Sequence, residues 1–553
     1  MRRQLASRCA VVLSALLLMV STAFANTYHK RIIAHGSEFG SIDGIEFDQD
    51  NNLWVSVLAN NNVLKLSKNG TLLETFGPDQ GVTASPDLTV GPDNLVYFVE
   101  IISGQVKRIN ADGTITTIAT GMPGVDAIAF NQDGRLFVSA FFPGVYDQIL
   151  EVDPTGANPP VVKINNPGFI NQFAFGADGL LYGPQTFGDS VVKINVDTGQ
   201  ITTVASGFTS PIVSKFDRDG HLYVVDEAAR KIFRVDTATG IKILVVDNIQ
   251  PGTNAIAFNR NNKLYFGSAE TGFLGRLNNA GAIVPLAKEG MVFPGGVAVI
   301  PGNHGRDKVW VADFFSVRVF NGLNGRQKKF FPGNSASEFV GPGVGFPTDI
   351  SVGDNDTFVL TSSFLAQVRV WNPDTNATTL YQGFAAPAAS IAFQSDVAVS
   401  ELATGQVVRA SDRAVLGSGL ILPTGLVAIG NDLFVAEFGT GSIKQIVDNG
   451  TVLSTPVVVA SGLAAPEGMA LDEAGTGLYV VEVGMQRLTR VEIATGQKTV
   501  IANNLQVGET PPVGGAPAGL TLSSVGVGSN GVLYVTGDDG RVLYRLTPHN
   551  LAQ

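Results

Sequence analysis

Residues Ile42–Gly77 read IDGIEFDQDNNLWVSVLANNNVLKLSKNGTLLETFG, and this stretch decides the fold. An apolar strand (Ile45–Phe47) meets a polar turn (Asp48–Asn52) and a second strand (Leu53–Val57). The loop Leu58–Asn61 leads to a third strand (Asn62–Leu66), a Lys-Asn-Gly turn and a fourth strand. Four short antiparallel strands make one sheet that cannot bury both of its faces alone. Copies must stack beside it.

The chain supplies them. Further units open at Leu88, Ala127, Gln172, Val213 and Ala255, then at Gly296, Asp349, Ser390, Gly425, Gly468 and Ser524. The turn before the second strand is often Asp-Asn or Asp-Gly, as at Asp93-Asn94, Asp133-Gly134, Asp178-Gly179 and Asp219-Gly220. Asn and Gly tolerate the positive φ of tight hairpins. The period of about 40–45 residues suits four-stranded propeller blades. About twelve such units exceed one ordinary ring, so the expectation is all-β: two tandem six-bladed β-propellers.

The last unit, ending at Arg541–Leu546, lacks a fourth strand, and an orphan strand, Lys30–His35, precedes the first. If each ring begins with its outermost strand, Lys30–His35 closes the first and Ala282–Ala287 the second. The domains are then 1–25, 26–279 and 280–553. The alternative carries Lys30–His35 across to the final blade, tying the two wheels together.

Arg2, Arg3 and Arg8 precede an apolar run from Ala10 to Val20 and an Ala-Phe-Ala at 23–25. This is the pattern of a cleaved signal peptide, with an apolar run too short for a bilayer span. It implies a secreted or periplasmic protein with no membrane contact after cleavage. The single cysteine, Cys9, falls inside the leader, which excludes disulfides and thiol chemistry from the mature chain. Losing three arginines leaves 34 basic against 48 acidic residues, a net charge of −14 in place of −11. Such a chain is a poor partner for nucleic acid or anionic lipid.

Strands in a blade alternate direction, so the turns sort by face. The Asp-Gly face is repetitive. The other carries variable loops such as LANN at 58–61, FFPGVYD at 141–147, PQTFGD at 184–189 and EAAR at 227–230. Variable loops on a rigid scaffold are where ligands bind, whether small molecules, proteins or glycans. Two longer loops, Gln327–Pro347 and Leu505–Leu520, join this face. The residue just before each first strand faces the channel there. In the first ring these are Asp43, Pro86, Asp126, Asn171, Ile212 and Asn254, with Asp87 adjacent. Carboxylates and amides at one point are the ligand chemistry of a hard cation such as Ca²⁺. The same residue types also cap turns and bind backbone amides. The second ring offers Gly295, Thr348, Ala389, Thr424, Glu467 and Ser523, and one carboxylate is not a cage.

Units such as PTGLVAIGNDLFVAEFGTGSIKQI (423–446) and PEGMALDEAGTGLYVVEVGMQRLTRV (466–491) resemble the NHL repeat and the SMP-30/gluconolactonase family, and virginiamycin B lyases have similar repeats. The SMP-30 resemblance implies a six-bladed hydrolase holding a divalent cation in its channel. By position it implies Asp43 where that family has Glu, Asn171 and Asn254 as amide ligands, and Asp126 as a ligand or general base. Ile212 departs from the pattern, in a slot that often carries a ligand. The lyase resemblance implies a channel histidine as base, yet His221 and His304 fall in turns of the opposite face and His549 in the tail. His35, beside the loop leading to Asp43, reads as a strand residue. Two functions stay open: a metal-dependent hydrolase of a lactone or small ester with its site in the first channel, and a non-catalytic NHL-like binding module using the variable face.

Overall fold

A computed structural model describes residues 28–142, 145–333, 343–508 and 521–551. The leader expected at 1–25 and the greater part of the loop Leu505–Leu520 lie outside the described residues. The rest folds as twelve four-stranded antiparallel sheets. The first comprises Gly44–Phe47, Leu53–Val57, Asn62–Leu66 and Leu72–Phe76, as its sequence pattern dictates.

Six innermost strands pack around one axis, from Gly44–Phe47 round to Thr253–Phe258 and back, and six more from Val297–Ile300 to Val525–Val527 surround another. The protein is a tandem pair of six-bladed propellers. The apolar core lies between neighbouring sheets. Ile45, Val55 and Leu64 of blade one, for example, pack on Ala257, Tyr265 and Leu274 of blade six. Each sheet thus buries a face it cannot bury alone. The hairpin turns carry the expected chemistry, with Asn94 at φ 61° and Gly134 at φ 77°.

Ring closure corrects the expected strand order. Tyr28–His35 does not close the first ring: it pairs antiparallel with Val542–Pro548 as the outer strand of blade twelve. Ala282–Ala287 does not close the second ring either. Its strand Ile283–Pro285 completes blade six beside Leu274–Leu277, after the Asn278–Ala282 turn. The reason is local. A hairpin to the next residues completes blade six with little loop-closure entropy, whereas blade twelve ends with an unpaired edge that only a distant strand can cover. The first wheel, Gly44–Pro285, is therefore inserted between the outermost strand of the second wheel and its remainder. The chain leaves and returns side by side, where Ser37 N donates to Met291 O (2.8 Å) and Glu38 N to Lys288 O (2.9 Å). Gln327–Pro347 begins as a strand, because Gln327–Pro332 is the outer strand of blade seven, paired with Ser316–Asn321, and residues 334–342 of the expected loop lie outside the described residues.

Deleting Tyr28–His35 is expected to destabilise the second wheel by on the order of 5 kcal/mol through its lost ladder and the exposed edge. Scanning calorimetry would show this as a lowered melting temperature. Adding the peptide YHKRIIAH should restore it, and unchanged melting of the deletion variant would contradict the pairing.

Candidate active site in the first propeller

The residues before the six inner strands of the first wheel, Asp43, Pro86, Asp126, Asn171, Ile212 and Asn254, all line one cavity of about 130 Å³ at the variable end of the channel. In three blades a β-bulge puts them there. The pairing register slips between Val125 and Ala127, between Pro211 and Val213, and between Thr253 and Ala255, so Asp126, Ile212 and Asn254 are the extra residues. A bulge frees its residue from the pleat and turns the side chain toward the axis.

Asp43 is held on several sides. Its Oδ2 accepts from Ser41 Oγ (2.5 Å) and Leu58 N (3.3 Å), and its Oδ1 from Asn254 Nδ2 (3.1 Å). Gln172 of blade four reaches across the channel and donates Nε2 to the Asp43 carbonyl (2.5 Å). Asp87 accepts Ile128 N on Oδ2 (3.1 Å), packed so tightly that a Cβ on Gly44 would come 2.6 Å from its other oxygen. Asn171 lines the cavity, but its Oδ1 accepts the N–H of Gln172 (2.7 Å).

What is left over matters more. Asp87 Oδ1, Asp126 Oδ2, Asn254 Oδ1 and Gln172 Oε1 are buried without a protein hydrogen-bond partner. Buried unpaired oxygens are costly, and charged ones most of all. Burial raises the Asp43 carboxyl to about 6. It raises Asp126 to about 7, with the negative charges of Asp87 and Asp43 adding to the effect. Asp87 also rises to about 7 by burial, although Lys215 pulls it back. Lys215 itself pairs with Glu46 (3.6 Å), one pleat repeat further along the inner strands.

The donors are carboxylate and amide oxygens only, several of them unpartnered, which is the ligand chemistry of a hard divalent cation, although Asp43, Asp87 and Asp126 do not bring three carboxylate oxygens within 4.8 Å of one another. Asp43, Asp126 and Asn254 offer the oxygens, with Asp87 behind them. One tight cluster of three acidic or histidine ligand atoms, Asp217, Asp219 and His221, lies in a turn of blade five. There Asp217 Oδ1 accepts the N–H groups of Asp219 and His221, so the group builds its own hairpin. In the second wheel the corresponding polar groups engage one another: Ser523 N donates to Glu467 Oε2 (2.8 Å) and Thr424 Oγ1 to the Pro466 carbonyl (2.9 Å).

Sequence reasoning did not assign six of the lining residues to the site. Glu227 and Glu270 line the same cavity from the loops after the second strands, and their position on the variable face was the available signal. Phe314, Phe315, Phe346 and Phe364 of the second wheel also line it, and no repeat pattern announces a contact between wheels. No histidine lines the cavity among the described residues.

The fold and this geometry invite comparison with known proteins. Residues 44–317 match the virginiamycin B lyase family. The match spans the first wheel and bears out the likeness to this group of propellers read from the repeats. Similar solved structures include virginiamycin B lyase from Staphylococcus aureus (18% identical, covering 52% of this chain and 96% of that one, TM-score 0.36). A gluconolactonase from Xanthomonas campestris is 15% identical over 44% of this chain and 87% of its own, with a TM-score of 0.37. The extracellular domain of a putative one-component system from B. thetaiotaomicron covers 95% of this chain and 83% of its own at 11% identity and a TM-score of 0.33. No curated protein matches the sequence significantly. Among the described residues no helix is long and apolar enough to cross a membrane.

The three carboxyls carry a pH signature. Each binds its proton more tightly folded than unfolded, so the stability they contribute is complete below about pH 4 and lost as pH rises through 6 to 7. Chelator-treated protein should therefore melt lower at about pH 8 than at about pH 5. Asp126→Asn should recover on the order of 4 kcal/mol at the higher pH and less than half of that at the lower. Equal melting temperatures for variant and wild type at both values would show that Asp126 is not desolvated.

Proposed function

We propose that the chain is an exported enzyme that hydrolyses a lactone or small ester in the first-propeller channel with the help of a divalent cation. The observation that carries the reading is the set of buried, unpartnered oxygens of Asp87, Asp126 and Asn254 beside Asp43. A bound cation such as Ca²⁺ would neutralise this charge and polarise a carbonyl. Asp43 is the anchored ligand, held by Ser41, Leu58 and Asn254. Asn254 and Asn171 flank it as amides.

Asp126 is the general base. Its free oxygen takes a proton from water as the water oxygen bonds to the carbonyl carbon. The acyl C–O bond then breaks, and the proton passes to the departing oxygen, leaving a hydroxy acid from a lactone. A carboxyl near 7 is matched to this exchange at neutral pH. Export rests on the basic and apolar pattern of residues 1–25.

The family match favours a second reading, a lyase that cleaves an ester by elimination, in which Asp126 would remove a carbon-bound proton because no histidine lines the cavity among the described residues. Product mass after reaction in isotopically labelled water separates the two, because only hydrolysis incorporates the label.

Metal analysis of purified protein, followed by calcium titration, tests the proposal. The expected result is a calcium-linked rise in melting temperature, reduced in Asp43→Asn. Turnover of aryl acetates or γ-lactones should fall by roughly 100-fold or more in Asp126→Asn. No bound metal and no calcium-linked shift would remove the metal-dependent hydrolase reading. Metal binding without turnover would favour the non-catalytic module, with the variable face docking a protein or glycan.

A further inference from the structure

The channel site of the first wheel is roofed by the second. Phe314, Phe315, Phe346 and Phe364 line the same cavity as Asp43 and Asp126. Their rings form one cluster, with Phe314 and Phe346 centroids 5.5 Å apart and Phe346 and Phe364 5.4 Å apart. The roof is fixed rather than draped. Asp313, just before Phe314, accepts the N–H of Phe293 (2.7 Å) and the guanidinium of Arg318. Arg318 in turn donates Nη2 to the Glu270 carbonyl (2.6 Å), in the wall of the first wheel. Phe314 and Phe346 both hold φ 45°, a left-handed backbone that bulky residues rarely adopt and that costs about 1–3 kcal/mol each. Such strain survives only where the surroundings enforce it.

The opposite rim is apolar too. Ile102 and Phe187 line the cavity and remain 58% and 38% exposed. The chamber is thus two-ended, with crowded acceptor oxygens at the floor and aromatic and aliphatic side chains around the upper part. Thr186, Glu227 and Glu270 also line this cavity, but its phenylalanine and isoleucine side chains offer hydroxyls no partner, so a polyhydroxylated lactone laid against them meets a cost that apolar carbon does not incur.

We propose that the ligand is a lactone or ester bearing a short alkyl tail, whose carbonyl end faces Asp43 and Asp126 and whose tail is received by the second propeller's phenylalanine roof and by Ile102. This substrate class rests on the hydrolase reading of the same site. The second wheel is then a specificity element, and the cavity of about 130 Å³ keeps the tail to a few carbons.

The test separates binding from turnover. The full chain is titrated calorimetrically with γ-butyrolactone, γ-hexalactone, γ-octalactone and glucono-lactone in turn; lactone-induced shifts in melting temperature provide a second readout. Affinity should rise about threefold per added methylene, with glucono-lactone the weakest. Phe364→Ala should flatten that series. Ile102→Ser, on the exposed rim of the first wheel, should flatten it as well, which covers the case that a roof variant disturbs packing. Affinity independent of tail length, a series unchanged in both variants, or neither binding heat nor a melting shift would overturn the proposal. Tail-dependent binding without turnover of any lactone or ester would overturn the hydrolase reading and keep the tail site. Turnover with tail-independent binding would do the reverse.

Discussion

A ring of sheets has one geometric demand that all else here follows: its innermost strands must converge on an axis. The residue that opens each strand is then carried toward five others, whatever its charge. In the first wheel those positions bring Asp43 and Asp126 together with the amides of Asn171 and Asn254, and Asp87 stands directly behind. The backbone there is engaged in ladder and turn bonds, so it cannot satisfy every carboxylate oxygen. The crowding shows in protonation. Asp43, Asp87 and Asp126 all titrate well above an ordinary carboxyl because burial penalises their charged forms.

The two wheels meet this demand differently. In the second, Thr424, Glu467 and Ser523 at the matching positions bond to neighbouring backbone and to each other. Its polar ring stabilises a scaffold, whereas the first leaves acceptors over. Insertion of one wheel into the other gives this division a structural meaning. Tyr28–His35 secures blade twelve, and the crossing at Ser37 and Met291 holds both connections side by side. The roof over the acidic floor is thereby held at both ends of the chain's passage between wheels. Arg318 bonds the two wheels directly through Glu270.

The roof also changes what the site can accept. Open channel mouths admit polar ligands with their waters, but a phenylalanine cluster excludes water and sharpens every charge beneath it. Asp126, under that cover, has a carboxyl poised between acid and base near neutrality. Its bulge in blade three directs it to the axis, and the same device directs Asn254 in blade six. Local backbone irregularity and long-range closure together position the pair.

Much of this was legible in the chain alone. The alternation in Ile42–Gly77, the Asp-Gly and Asp-Asn turns and their spacing are short-range signals, and they determined blades, strand limits and the two faces. The same alignment placed Asp43, Asp126, Asn171 and Asn254 on one channel mouth, because a residue's position within a blade fixes its distance from the axis. Three things needed the tertiary structure. The partner of Tyr28–His35 is more than five hundred residues away, and the sequence reading favoured the nearer open edge in the first ring over the final blade that it actually completes. Which amide oxygens stay free depended on hydrogen bonds across the ring, such as Gln172 to Asp43, that no spacing encodes. The phenylalanine roof arose from contact between two separate cores, and periodicity within either wheel carries no information about what faces its mouth.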